Sequence, residues 1–183
     1  MDYFASEFIY LAVKEENIVM KTLYLTLFMF IACSLLVACD NTNQQKMLLT
    51  AQAIESGDEC HLCGMLISDY SGPKGQLYRS DQGETVHKFC STRDLFSFYL
   101  DPENTRNITA IFVHDMSKVP WDEPNDSYFI DAKSAWYVAG SSQQGAMGKT
   151  LASFSQKQDA IAFSDKFGGE VIDFNAIDFN ALR

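Results

Sequence analysis

The chain has 183 residues, 47% of them apolar and 13% aromatic, which is enough to bury a domain-sized core and too apolar for a disordered chain. Its 14 basic residues against 24 acidic ones give a formal charge of −10. No basic patch is available to displace counterions from phosphates, so nucleic acid is excluded as a partner.

The first element is an apolar run from Leu23 to Ala38 that begins just after Lys21. It is short for a membrane-spanning helix, and its basic front edge and small residues at the far end are those of a secretory signal. The end of the run, Leu36-Val37-Ala38-Cys39, resembles the lipobox of bacterial lipoproteins, so Cys39 is expected to become the lipid-bearing first residue of the mature protein. Residues 1–19 are acidic where a signal should be basic, whereas Met20-Lys21 opens a signal of ordinary form. Translation is therefore expected to start at Met20, with 1–38 set aside as signal peptide. Residues 39–58 are read as lipid anchor and tether, with Asn41 to Gln45 as its polar part. Asp40, next to the anchor, resembles the signal that keeps enterobacterial lipoproteins at the inner membrane, facing the periplasm. Cys33 leaves with the signal and Cys39 carries lipid, so Cys60, Cys63 and Cys90 remain. An odd number of thiols outside the cytoplasm leaves at least one unpaired or bound to something.

Beyond the tether, short β-rich runs alternate with two amphipathic stretches. Gly75 to Arg79 and Thr85 to Phe89 read as a strand pair turning through Asp81-Gln82-Gly83. Ser91-Thr92-Arg93-Asp94 has the form of a helix cap, Leu95 to Leu100 supply the apolar side, and Asp101-Pro102 stops the helix. Ile108 to Val113 is the strand that follows. The second half repeats the plan: Ala135 to Ala139 as strand, a glycine-rich link from Gly140 to Gly148, Leu151 to Phe154 as strand, a helix from Ser155 to Phe167 ended by Gly168-Gly169, and Glu170 to Phe174 as strand. Phe89, Asp94 and Phe98 of the first helical segment lie over Phe154, Asp159 and Phe163 of the second. The fold class expected is α+β, two tandem ββαβ units over 59–118 and 135–183, joined by a linker at 119–134 that contains the acidic, Pro-rich Val119 to Asp126.

The chemistry concentrates in Glu59-Cys60-His61-Leu62-Cys63-Gly64-Met65. As a redox pair, Cys60 and Cys63 would form a thioredoxin-type thiol oxidoreductase motif, although no βαβ context precedes them; a plain disulfide between them is a further reading. As a zinc half-site, C-x-x-C-G finds a partner in His87-Lys88-Phe89-Cys90, giving a structural zinc domain for protein interaction. Strand alternation puts Cys90 on the face of Lys88 and His87 on the opposite one, so a bend would be needed to aim both at one ion. The region also resembles small metal modules with a Cys-Gly-Met opening and a Phe-Cys-Ser hairpin end, whose later cysteine is Asp94 here. The third reading uses Met65, because thioether and thiolate together select Cu(I). Met147, between Gly145 and Gly148 in the glycine-rich link, is a second thioether.

Taken together, the motifs resemble the NosL family of nitrous oxide reductase accessory lipoproteins. The matching pieces are the lipobox at Cys39, His61-Leu62-Cys63-Gly64-Met65, Gly72-Pro73-Lys74-Gly75-Gln76, Arg93-Asp94-Leu95-Phe96, Trp121-Asp122-Glu123-Pro124, Ala135 to Ser141 and Gly145-Ala146-Met147-Gly148. The resemblance implies a periplasmic copper chaperone rather than an enzyme, receiving and passing on Cu(I) between a membrane maturation transporter and nitrous oxide reductase. It implies Cys63 as thiolate ligand, Met65 and Met147 as thioether ligands and His61 as an imidazole ligand. It assigns no role to Cys60 or Cys90, and Ala146 stands where relatives often have proline. His87 and His114 are read as structural or solvent-facing, and Asp94 and Asp159 as charges facing the helix macrodipole.

Overall fold

The computed structural model describes residues 49–183, so the signal run, the start at Met20, the lipobox with Cys39, Asp40 and the Asn41 to Gln45 tether lie outside the described residues. Among the described residues no helix is long and apolar enough to cross a membrane.

Helices and antiparallel sheets are mixed, as the sequence led us to expect. The strands β1 (Gly75–Arg79) and β2 (Val86–Phe89) are followed by helix α1 (Thr92–Tyr99), a single turn α2 (Pro102–Thr105) and strand β3 (Ile108–His114). β1 is central, with Leu77 opposite His87 on β2 and opposite Ile111 on β3. Within the segment read as a linker, β4 (Phe129–Asp131) adds to the free edge of β3, giving the order β2-β1-β3-β4. The later strands are β5 (Trp136–Ala139), the short hairpin β6 (Gln144–Gly145) and β7 (Gly148–Lys149), β8 (Ala152–Phe154), helix α3 (Lys157–Phe167) and β9 (Glu170–Asp173). Their sheet runs β8-β5-β9. In both sheets the first strand is flanked by the second and by the one after the helix, so the tandem ββαβ plan has a topological counterpart.

α1 starts where it does because Ser91 is extended and its side-chain oxygen accepts the Asp94 amide at 3.1 Å. Asp101 caps the next turn and Pro102 occupies its first position, where no amide donor is missed. Leu95 and Phe96 on the inner side of α1 are fully buried among Leu77, Phe89, Ile111, Tyr137 and Leu151. A second cluster gathers Met116, Val138, Ala152, Phe154 and Ala160, with Trp121 and Phe163 stacked at 5.6 Å.

The helix lies so close to β1 that a Cβ on Gly75 would meet Leu95 Cδ2 at 2.4 Å. Gly75→Ala should therefore destabilise the chain by about 1–3 kcal/mol, the usual cost of overpacking a fixed core. A urea midpoint equal to that of the parent chain would show that Leu95 yields freely.

Candidate metal centre

Residues 59–66 fold into a closed loop. Glu59 and Leu66 form an antiparallel bridge, the Cys60 amide donates to Met65 O at 2.8 Å, and the Gly64 amide donates to Cys60 O at 2.8 Å. Gly64 has φ of +74°, a conformation that glycine adopts without a Cβ penalty, and it lets the turn close right after Cys63. The loop is tied to β2 by the His61 amide donating to Lys88 O at 2.8 Å and by the Lys88–Asp58 ion pair.

This tie brings the opening loop against the junction of β2 and α1. The thiols of Cys60, Cys63 and Cys90 and one carboxylate oxygen of Asp94 all lie within 4.8 Å of one another. Cys63 Sγ is 3.5 Å from Cys90 Sγ, while Asp94 Oδ2 sits 3.4 Å from Cys90 Sγ and 3.6 Å from Cys60 Sγ. All three thiols are free. Cys60, Cys90 and Asp94 are buried, and Cys63 is the one thiol of the three with partial solvent access. Cys90 and Asp94 come together because β2 ends at Phe89 and the chain turns through the extended Ser91 into α1, whose first turn brings the Asp94 carboxylate to within 3.4 Å of the Cys90 sulfur.

The electrostatics favour a single thiolate shared within the cluster. With the Cys90 thiol donating to its sulfur, Cys60 is drawn down to about 5, and Cys90, which keeps that proton in a buried site beside Asp94, is pushed far up. Burial also raises Cys63. Lys74, whose ammonium is buried and donates to Ser71 O at 3.2 Å and to Tyr70 O, falls to about 8 because burial disfavours its charge; the negative charge shared by the Cys90–Cys60 pair works the other way.

The structure places the other predicted residues as follows. Met65 is half-buried in the closed loop, directly after Gly64. Met147 sits at the tip of the β6–β7 hairpin, 48% exposed, and Arg93 Nη1 donates to its carbonyl at 2.6 Å. The hairpin is seated on the start of α1 by Thr92 Oγ1, which donates to Leu151 O at 2.5 Å, and is held from outside by Trp121 Nε1, which donates to Gln144 O at 2.8 Å. The glycine-rich link thus carries Met147 to the helix turn that also bears Asp94. His61 is outside the thiol group: its ring lies 4.1 Å from that of His87 and 5.1 Å from that of Phe98. Sequence reasoning left Cys60 and Cys90 without a role and gave Asp94 only a helix-start charge. No spacing rule links that pair, because Cys90 lies before the helix cap.

His87 and His114 are both buried, so neither faces solvent. His114 Nδ1 accepts the Lys74 amide at 3.3 Å, which leaves the proton on Nε2 to donate to Asp126 Oδ1 at 3.0 Å. The neutral ring is therefore satisfied at both nitrogens, and burial holds its pKa below the usual histidine value despite Asp126. A depressed folded pKa means that protons bind the unfolded chain more readily. Stability from this group is complete above about pH 6.5 and is lost as pH falls through the folded value. The urea midpoint should drop between neutral and mildly acidic pH, and His114→Gln should flatten that slope; an unchanged slope would contradict the assignment. The cavity beside His114, about 250 Å³ and lined by Lys74, Tyr70, Glu123 and Asp126, presents no sulfur ligand.

Comparison with known proteins identifies the family. The NosL family model matches residues 51–182. The copper-binding lipoprotein NosL of Stutzerimonas stutzeri is 43% identical over 148 residues, covering 81% of this chain and 76% of the relative, and its namesake from Achromobacter cycloclastes is 33% identical over 144 residues, covering 77% and 73%. The crystal structure of the copper chaperone NosL from Shewanella denitrificans superposes with a TM-score of 0.71 at 56% identity, covering 72% of this chain and 98% of that one. The family match over residues 51–182, the sequence identity to the relatives and the shared fold lead to one conclusion: the chain belongs to the NosL family.

Proposed function

We propose that this protein is a lipid-anchored Cu(I) carrier, not an enzyme, and that its copper is held at Cys63. The observation that carries the reading is the convergence of three free thiols from two segments distant in sequence, with one of them reaching solvent. Cu(I) is a soft ion that favours thiolate and thioether over oxygen donors and accepts few ligands. Cys60 and Cys90 back Cys63 from the buried side, and the thioether ligands assigned to the ion are Met65 on the same loop and Met147 on the hairpin. His61, exposed and next to Cys60, is the imidazole within reach of an arriving ion. The names of the relatives, copper-binding lipoprotein and copper chaperone, support copper as the cargo.

Transfer proceeds by ligand exchange. A low-coordinate Cu(I) at a half-exposed sulfur lets an incoming donor bind before an outgoing one leaves, so the ion never travels free. The anchor at Cys39 keeps the carrier at the cell envelope, facing the periplasm at the inner membrane. The partners are a membrane maturation transporter and nitrous oxide reductase, in keeping with the family. We also propose the unit boundaries 59–118 and 135–183 as the two halves that frame the site, with 119–134 between them.

A second reading has its own observation. Three thiols and a carboxylate are a suitable tetrahedral set for zinc, which would then serve structure rather than transport. Metal content and thiol state of the protein prepared anaerobically separate the two. The carrier reading expects one Cu(I) taken up on reconstitution, with the same fold before and after loading. Stoichiometric zinc, with unfolding by a chelator, would establish the structural site instead.

A further inference from the structure

We propose that Cys63 and Cys90 form a reversible disulfide that closes the copper site under oxidising conditions. The inference rests on the Cu(I) reading above and adds to it a modification site, with a protein or small-molecule disulfide as oxidant. Cys63 is the thiol that solvent reaches, and its sulfur is already 3.5 Å from that of Cys90. A disulfide bond measures about 2.0 Å, so the two sulfurs need approach by only about 1.5 Å. The movement is asymmetric. Cys90 is fixed between β2 and α1 with no exposed surface, whereas Cys63 sits in a turn that ends at Gly64.

The exchange runs in two displacements. Cys63 gives up its proton to solvent and attacks one sulfur of the incoming disulfide; a bond forms between them and the other half of the oxidant leaves as thiolate. Cys90 then gives up its proton and attacks the Cys63 sulfur, closing the Cys63–Cys90 bond and expelling the second half. In sum, two thiols lose two electrons and two protons, and the external disulfide is reduced to two thiols. A dithiol reductant reverses both steps. Cys60, buried and out of reach of the oxidant, stays reduced. The disulfide removes from Cys63 the lone pair and charge that hold Cu(I), and bound copper in turn blocks the first attack.

The test equilibrates the reduced, metal-free chain with oxidised glutathione, alkylates the remaining thiols and maps the peptides by mass spectrometry. The expected map shows a Cys63–Cys90 cross-link with Cys60 alkylated, loss of Cu(I) uptake, and its return with dithiothreitol. In Cys90→Ser the exchange should stall after the first step, leaving a glutathione adduct on Cys63. Three alkylated thiols in the treated parent chain, a Cys60–Cys63 cross-link, or undiminished copper uptake by the cross-linked form would overturn the proposal. A reduced chain that takes up no copper at all would overturn the carrier reading and the gating together, while the peptide map still judges the pairing by itself.

Discussion

Cys63→Ser should weaken Cu(I) binding by at least about a hundredfold in an anaerobic chelator competition, or roughly 2.8 kcal/mol. The substitution exchanges a soft sulfur for a hard hydroxyl oxygen at nearly constant size, so it removes the donor without opening a cavity. Its effect should exceed that of Met147→Leu, because Met147 lies on a hairpin tip 48% exposed to solvent, where one thioether is replaceable by an incoming donor. It should also leave the urea midpoint close to that of the parent chain, since Cys63 is only partly buried. Unchanged copper affinity in this variant would move the ion elsewhere.

Phe96→Ala should destabilise the fold by about 3–5 kcal/mol, the range for truncating a fully buried aromatic side chain. Phe96 has no exposed surface, and its ring meets Tyr137 at 5.2 Å, Phe174 at 5.9 Å and Tyr99 at 6.2 Å. Tyr137 lies on β5 and Phe174 just beyond β9, so this one side chain fastens α1 to the second sheet. The loss is large against the 5–15 kcal/mol typical of a whole domain, roughly. Because α1 also carries Asp94 and follows Cys90, the same variant should bind Cu(I) more weakly whenever it is partly unfolded. Urea denaturation followed by tryptophan fluorescence measures the first effect; a midpoint within experimental error of the parent would show that the cavity collapses.

Much of this fold was legible because local rules and tertiary structure agree. The alternation of β2, with His87 and Phe89 inward, survives intact, and the Ser91 cap starts α1 where the S-x-x-D pattern placed it. Two elements were hidden. β4 is three residues long and sits in an acidic stretch, too short to show a period of two, and it exists because β3 offers a free edge. The β6–β7 hairpin consists of two-residue strands in a glycine-rich link, and its place is set by Thr92, Arg93 and Trp121 from other segments.

The candidate site divides along the same line. Cys63 could be singled out from its spacing to Met65 and from the family resemblance. The company of Cys60 and Cys90 could not, because alternation stops at Phe89 and says nothing about where the next side chain points once the chain turns into a helix. Asp94 illustrates how one residue can satisfy two requirements. Its amide completes the Ser91 cap while its carboxylate faces the thiols, and the sequence pattern reveals only the first. His61 was read as an imidazole ligand, and its ring packs on His87 and Phe98, a contact between segments that no spacing rule anticipates.

X-ray absorption at the copper edge of the anaerobically loaded, full-length protein tests the central claim most directly. The account predicts Cu(I) with a first shell dominated by sulfur, and loss of part of that sulfur scattering in Cys63→Ser. A shell of nitrogen and oxygen alone, or a sulfur shell identical in the parent and the variant, would contradict it.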